Sequence, residues 1–135
     1  MRGADAGPFA QIVALPALWT GLLYDQTALD GALALTGDWT VAEMQALRDA
    51  VPRLGLRAPF RGGTVHDVAA TMVQLAESGL QRRARLTRKG DDESKALAPL
   101  IETVADRRSP SDRLLAAYHG PWHADIDQVF GTQAL

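Results

Sequence analysis

Apolar residues recur at helical spacing in almost every segment of the chain. From Phe9 to Tyr24 they are dense enough to cover more than one side of a helix, with Gln11, Pro16, Thr20 and Gly21 interrupting the run. A helix of that kind is normally buried on several sides. Gly7-Pro8 opens it, since proline at the first helical position sacrifices no hydrogen bond. Pro16 predicts a kink or restart, because its ring clashes with the preceding turn. Asp25 caps a second helix that ends near Gly37 and carries Leu29, Leu33 and Leu35.

Thr40 and Glu43 form a capping box. Val41, Met44, Leu47 and Val51 follow at helical spacing, and Pro52 is expected to end that helix. Residues 53–63 read as a loop. Thr64 with Asp67 caps the longest helix, whose apolar face is expected to hold Val65, Val68, Ala69, Met72, Leu75, Ala76 and Gly79. Arg82, Arg83 and Arg85 suit the negative end of its dipole. Residues 87–92 are a polar turn. Leu97, Leu100, Ile101 and Val104 mark the next helix, with Pro99 in its first turns. Ser109-Pro110-Ser111-Asp112 opens a short helix with Leu114, Leu115 and Tyr118, which His119-Gly120-Pro121 stops. One weak helical turn is expected at 124–130. No long alternation of period two occurs, so the fold class is all-α: about six helices with short loops.

Composition narrows the function classes. The chain has 135 residues, which suits one domain. A net charge of −2 fits neither a nucleic-acid binder nor an acidic tail. With no cysteine, there is no disulfide framework, thiolate nucleophile or cysteine-ligated metal; a cytoplasmic location is the expectation. No run approaches the ~18 continuous apolar residues of a membrane span.

The candidate chemistry is sparse. His119 and His123 lie four apart, a metal-ligand spacing that Gly120 and Pro121 break. His66 sits in the first turn of a helix and reads as a surface or capping residue. The basic run Arg82, Arg83, Arg85, Arg88 and Lys89 is followed at once by Asp91, Asp92 and Glu93. It reads as a solvated helix end with salt bridges rather than a phosphate or RNA site. Arg61-Gly62-Gly63-Thr64 precedes a helix and offers an anion site at its N-terminus, or only a turn. On the residues alone, the chain is a helical domain.

Several motifs say more. Met1-Arg2-Gly3-Ala4-Asp5-Ala6-Gly7-Pro8 and the run from Ala14 to Asp25 resemble a stretch of the plant and proteobacterial type of glutamate–cysteine ligases. In the same order follow Asp38-Trp39-Thr40, the Leu47–Leu56 segment, Gly79-Leu80-Gln81-Arg82-Arg83-Ala84, and Tyr118-His119-Gly120-Pro121-Trp122. The resemblance implies the helical C-terminal part of a glutamine-synthetase-like α+β fold. On that reading 1–135 is a single helical C-terminal fragment, and residues 1–7 are the remnant of a strand end and loop from a catalytic sheet.

The implied activity joins the γ-carboxylate of glutamate to the amine of cysteine, the first step of glutathione biosynthesis. ATP and Mg2+ serve the parent enzyme; none is expected for the isolated chain, which is expected to be inactive. The resemblance carries over one site residue, Arg2, as a phosphate or substrate contact. The implied partners are glutamate, cysteine and ATP, with no nucleic acid and no membrane. The competing reading is a non-catalytic helical interaction module. On either reading the apolar first helix, with Ile12, Leu15, Leu18, Trp19 and Leu22, leads to an expectation of an exposed patch and self-association.

Overall fold

The computed structural model describes residues 7–86, 88 and 90–132. Among them are seven α-helices and one minimal two-stranded sheet. The helices are α1 Phe9–Leu23, α2 Gln26–Thr36, α3 Val41–Leu54, α4 Val65–Arg83, α5 Ala98–Asp106, α6 Pro110–His119 and α7 Gln128–Thr132. The fold is all-α as expected, and no described helix is long and apolar enough to cross a membrane.

The helix starts follow their caps. Asp25 Oδ1 accepts from the Ala28 N–H at 2.8 Å. The Thr40–Glu43 box closes in both directions, at 3.2 Å to the Thr40 hydroxyl and 2.8 Å to the Glu43 carboxylate. The same reciprocal pair joins Ser109 and Asp112 at the start of α6. Each cap satisfies N–H groups that the first helical turn leaves without partners.

Neither Pro16 nor Pro52 interrupts its helix. No restart occurs at Pro16: α1 runs unbroken through it. Pro16 and Ile12 are both exposed, so the Ile12 carbonyl that Pro16 leaves unpaired lies on the wet side of the helix. Nor does Pro52 end α3. The helix continues to Leu54 and stops at Gly55, whose φ of 55° favours glycine.

The expected loop at 53–63 holds more structure than a loop. After a 3-10 turn at Gly55–Arg57 comes a hairpin of β1, Pro59–Phe60, and β2, Gly63–Thr64. Its register pairs Pro59 with Thr64 and Phe60 with Gly63. Arg61 and Gly62 make the turn with φ of 46° and 80°, and positive φ at both central residues matches the twist of the flanking strands. Farther on, a 3-10 segment, Glu93–Leu97, precedes α5 and places Pro99 in the first turn of that helix. The expected turn at 124–130 forms later, as α7. His123 and Ala124 instead take positive φ.

The core sits around α4, which packs on α1, α2, α5 and the Glu93–Leu97 turn. Leu22, Ala76, Leu80 and Leu97 form its centre, with Leu18, Met72, Leu75, Leu100 and Ile101 packed against them. Leu80 and Val73 lie outside the expected face of α4 yet are buried. Neighbours on more than one side of α4 make its buried arc wider than a single stripe. α1 and α4 meet backbone to backbone: a Cβ on Gly21 would overlap the Ala76 carbonyl, and one on Gly79 would overlap the Gly21 carbonyl.

Candidate functional site

Arg2, the one site residue carried over from the resemblance, lies outside the described residues. The description begins at Gly7, just before α1, where the Pro8 carbonyl accepts from the Gln11 and Ile12 N–H groups.

The most developed polar constellation centres on Arg61 at the hairpin tip. Its Nη2 donates to Glu43 Oε2 at 2.7 Å and to the Asp38 carbonyl at 2.8 Å, while Nη1 reaches Asp38 Oδ1 at 2.7 Å. The guanidinium also lies 5.6 Å from the centre of the Phe60 ring, and Trp39 meets Phe60 edge to face. Arg61 holds the Glu43 carboxyl far below its ordinary range, at about 2, with the Thr40 N–H and hydroxyl adding to the effect. The same carboxylate pushes the Arg61 guanidinium up. The hairpin is thereby fastened to the start of α3. Sequence reading missed this cluster. Its members lie 18 and 23 residues apart, and no local pattern links them.

The anion site considered before α4 is filled by the protein itself. The Asp67 carboxylate accepts from the Thr64 N–H at 2.7 Å and its hydroxyl at 2.9 Å. Arg61 is turned toward α3. The basic run is likewise tied internally. Arg82 grips both oxygens of Asp25, at 3.1 and 3.0 Å from Nε. Arg83 lies 3.9 Å from Glu93 and 5.4 Å from the Tyr24 ring centre. The salt-bridged reading of that segment therefore holds for its two leading arginines.

His66 has a structural position rather than a surface one. It is mostly buried, and its Nε2 lies 2.7 Å from the Val104 carbonyl, joining α4 to the end of α5. The Val104 carbonyl can only accept, so Nε2 carries the proton. His119 stacks edge to face on Tyr118, and His123 follows the end of α6 in a left-handed conformation.

No group of three or more metal-ligating side chains assembles among the described residues. Their best-placed carboxylates are engaged elsewhere: Asp25 with Arg82, Glu43 with Arg61, Asp67 with Thr64, Asp92 with Ser94 and Asp112 with Ser109. These acids do not fit a magnesium site, which requires several free oxygens or waters. A pocket of about 450 Å³ between α1 and the 91–96 segment is lined by Val13, Pro16, Thr20, Asp92 and Lys95, among others. Of its charged lining, Asp92 caps Ser94, Lys95 pairs with Asp91, and Glu93 lies 3.9 Å from Arg83.

The class of the chain comes from its relatives. The family model "Glutamate-cysteine ligase family 2 (GCS2)" matches residues 1–131. The chain is 44% identical over 130 residues to the chloroplastic glutamate–cysteine ligase of Nicotiana tabacum, and 44% and 45% identical to those of Medicago truncatula and Arabidopsis thaliana. Each match covers 96% of this chain and 24% of the relative. The chain belongs to glutamate–cysteine ligase family 2. It spans about a quarter of the length of the curated relatives it matches.

Proposed function

We propose that the chain serves as the helical C-terminal part of an ATP-dependent ligase. That enzyme joins the γ-carboxylate of glutamate to the amine of cysteine, the first step of glutathione synthesis. The family match across residues 1–131 carries this reading. In it, the described residues are scaffold, a reading supported by Asp25, Glu43 and Asp112 being paired with Arg82, Arg61 and Arg57. ATP and Mg2+ are held by other parts of the parent enzyme. Arg2 contacts a phosphate or the substrate, at the end of a strand of the catalytic sheet that residues 1–7 leave. Glutamate, cysteine and ATP are the partners. The proposed compartment is the cytoplasm, on the cysteine-free composition, and a tagged whole protein found in an organelle would reject it.

Two measurements test the reading. The 135-residue chain is incubated with ATP, Mg2+, glutamate and cysteine, and ADP is followed; no turnover is expected. Turnover above background that Arg2→Ala removes would overturn the scaffold assignment. In the whole enzyme, Arg2→Lys keeps the charge but loses the bidentate fork. A loss of roughly 100- to 1000-fold in rate is expected for a lost transition-state contact. Normal turnover with a lowered melting temperature would make Arg2 structural.

A second reading, a helical module that packs on itself, is supported by one observation: α1 leaves Phe9, Ile12, Val13, Trp19 and Leu23 exposed.

A further inference from the structure

The chain enters α1 from a defined side. Pro8 is extended, with φ of −51° and ψ of 151°. Gly7 lies against Gln11 so closely that a Cβ there would overlap the Gln11 side-chain amide. At 100° per residue Gln11 falls on the side of α1 that also carries Ala14, Leu18 and Leu22, which pack inward. Phe9, Val13 and Pro16, all exposed, lie on the other side. The backbone at Gly7 therefore leads away from the outer face of α1.

It leads toward α6. Pro8 and Gln11 line a cleft of about 240 Å³ whose other wall is Pro110, Arg113, Leu114 and Trp122. Leu114 and Trp122 also line a second groove, of about 480 Å³, between α6 and α7. Its apolar lining is open to solvent: Leu115 and Ile126 are 56% and 61% exposed. The two hollows thus meet at a ridge of Leu114 and Trp122, and together they wrap α6 from the start of α1 to α7.

The segment attached to Gly7 suits this path. Met1-Arg2-Gly3-Ala4-Asp5-Ala6 has no β-branched or aromatic residue, and Gly3, Ala4 and Ala6 are small enough for the narrower cleft. Met1 is long and adaptable, as an irregular apolar groove requires. At about 3.3 Å per extended residue, Met1 reaches some 20 Å from Pro8, well past one helix diameter of ~10 Å. The segment's one cation and one anion cancel, and Arg113 at the entrance is already bracketed by Glu102 and Asp106. Its tether also gives it a local concentration on the order of mM, which any separate partner has to exceed.

We propose that Met1–Ala6 docks along α6, crossing it at Trp122. On the ligase reading this contact sets where Arg2 stands, and Trp122 is a positioning residue. The docking itself does not rest on that reading, because its test reads proximity rather than ADP.

The sequence has no cysteine, so introduced pairs report alone. Under mild oxidation Ala4→Cys should form an intramolecular disulfide with Ser111→Cys or Leu115→Cys, in preference to Val13→Cys on the outer face of α1. Trp122→Leu should lower the yield of that disulfide with helical circular dichroism intact. With Trp19 and Trp39 changed to phenylalanine, a chain starting at Gly7 should show stronger acrylamide quenching of Trp122 than the 135-residue chain. This second measurement decides the matter should the paired variants fail to fold. In the whole enzyme Trp122→Leu should lower kcat, and the loss should vanish in an Arg2→Lys background. A loss that persists there would make Trp122 merely structural, and a whole enzyme without ligase turnover would reject the ligase reading alone. Cross-linking to Val13→Cys instead, no disulfide with either α6 position, a disulfide only between two chains, or unchanged quenching of Trp122 would overturn the docking.

Discussion

Two residue-scale features of the chain make opposite demands on local propensity. Gly21 and Gly79 lie inside helices, where alanine is the better former by about 1 kcal/mol. They stand where α1 and α4 touch through their backbones, so an added methyl would strike a carbonyl oxygen on the facing helix. Overpacking of this kind costs about 1–3 kcal/mol and here outweighs propensity. Gly79→Ala should lower the melting temperature, while Gly131→Ala in α7, where a Cβ meets nothing, should leave it unchanged or raised. Equal effects at the two sites would remove the close crossing as the cause. The second feature is Glu43. Its carboxyl is held at about 2 against an ordinary 4.5 by Arg61 and then by Thr40. A carboxyl depressed in the folded state adds stability that is fully present above its unfolded value and lost as the group protonates. The contribution should therefore stand above about pH 4.5 and fade as pH falls through about 2. Urea midpoints of the parent and Glu43→Gln, measured from pH 6 to 2, should converge on acidification; parallel curves would sink the assignment.

At the scale of elements, the helices were legible where their signals are local. Asp25, Thr40 and Ser109 sit a fixed three residues from the groups they cap, so the sequence displays both partners together. The stop expected at Pro52 and a restart at Pro16 do not occur, because a proline ends a helix only when the freed carbonyl has no other recourse. Both prolines are exposed, and Pro52 is two residues from the helix end in any case. The hairpin was hidden because its left-handed turn begins with an arginine rather than asparagine, aspartate or glycine. What holds that turn is Arg61 reaching back to Glu43 and Asp38, a long-range contact that no local pattern encodes. The candidate site was legible only as family motif, since Arg2 lies outside the described residues and Arg61, Arg82 and Arg113 are engaged by acids within the fold. The cap at Thr40 thus supports two elements, the start of α3 and the anchor of the hairpin. Thr40→Ala should cost about 0.5–2 kcal/mol in chemical denaturation, as lost caps do. It should also loosen the hairpin, seen as faster amide exchange at Val65, whose N–H donates to the Ala58 carbonyl; a loss of stability with unchanged exchange there would separate the two roles.

The whole molecule divides into a centre and a periphery held by different forces. α1, α2, α4 and α5 share the cluster around Leu80 and Leu97, the two largest fully buried side chains. α6, unlike α5, packs no residue against that cluster. It is tied to the rest by Arg57–Asp112 at 3.2 Å, Arg113–Glu102 at 3.1 Å and Arg113–Asp106 at 3.0 Å. Exposed pairs of this kind contribute about 0–1 kcal/mol each and weaken with salt. Truncating a buried leucine costs about 2–5 kcal/mol, several times more than any one of them. Opening should therefore proceed from the C-terminal end, with α6 and α7 exchanging amides through local fluctuations while α4 waits for global unfolding. Native-state hydrogen exchange separates the two. In the parent chain, α6 should be the less protected, and raising salt to about 1 M should accelerate its exchange while leaving α4 little changed. Leu80→Ala should do the reverse, lowering the protection of α4 while α6 keeps its exchange rate until the whole chain becomes unstable. If α6 and α4 lost protection together under both perturbations, the chain would be one cooperative unit, and the ion pairs at its C-terminal end would hold more than their exposure allows.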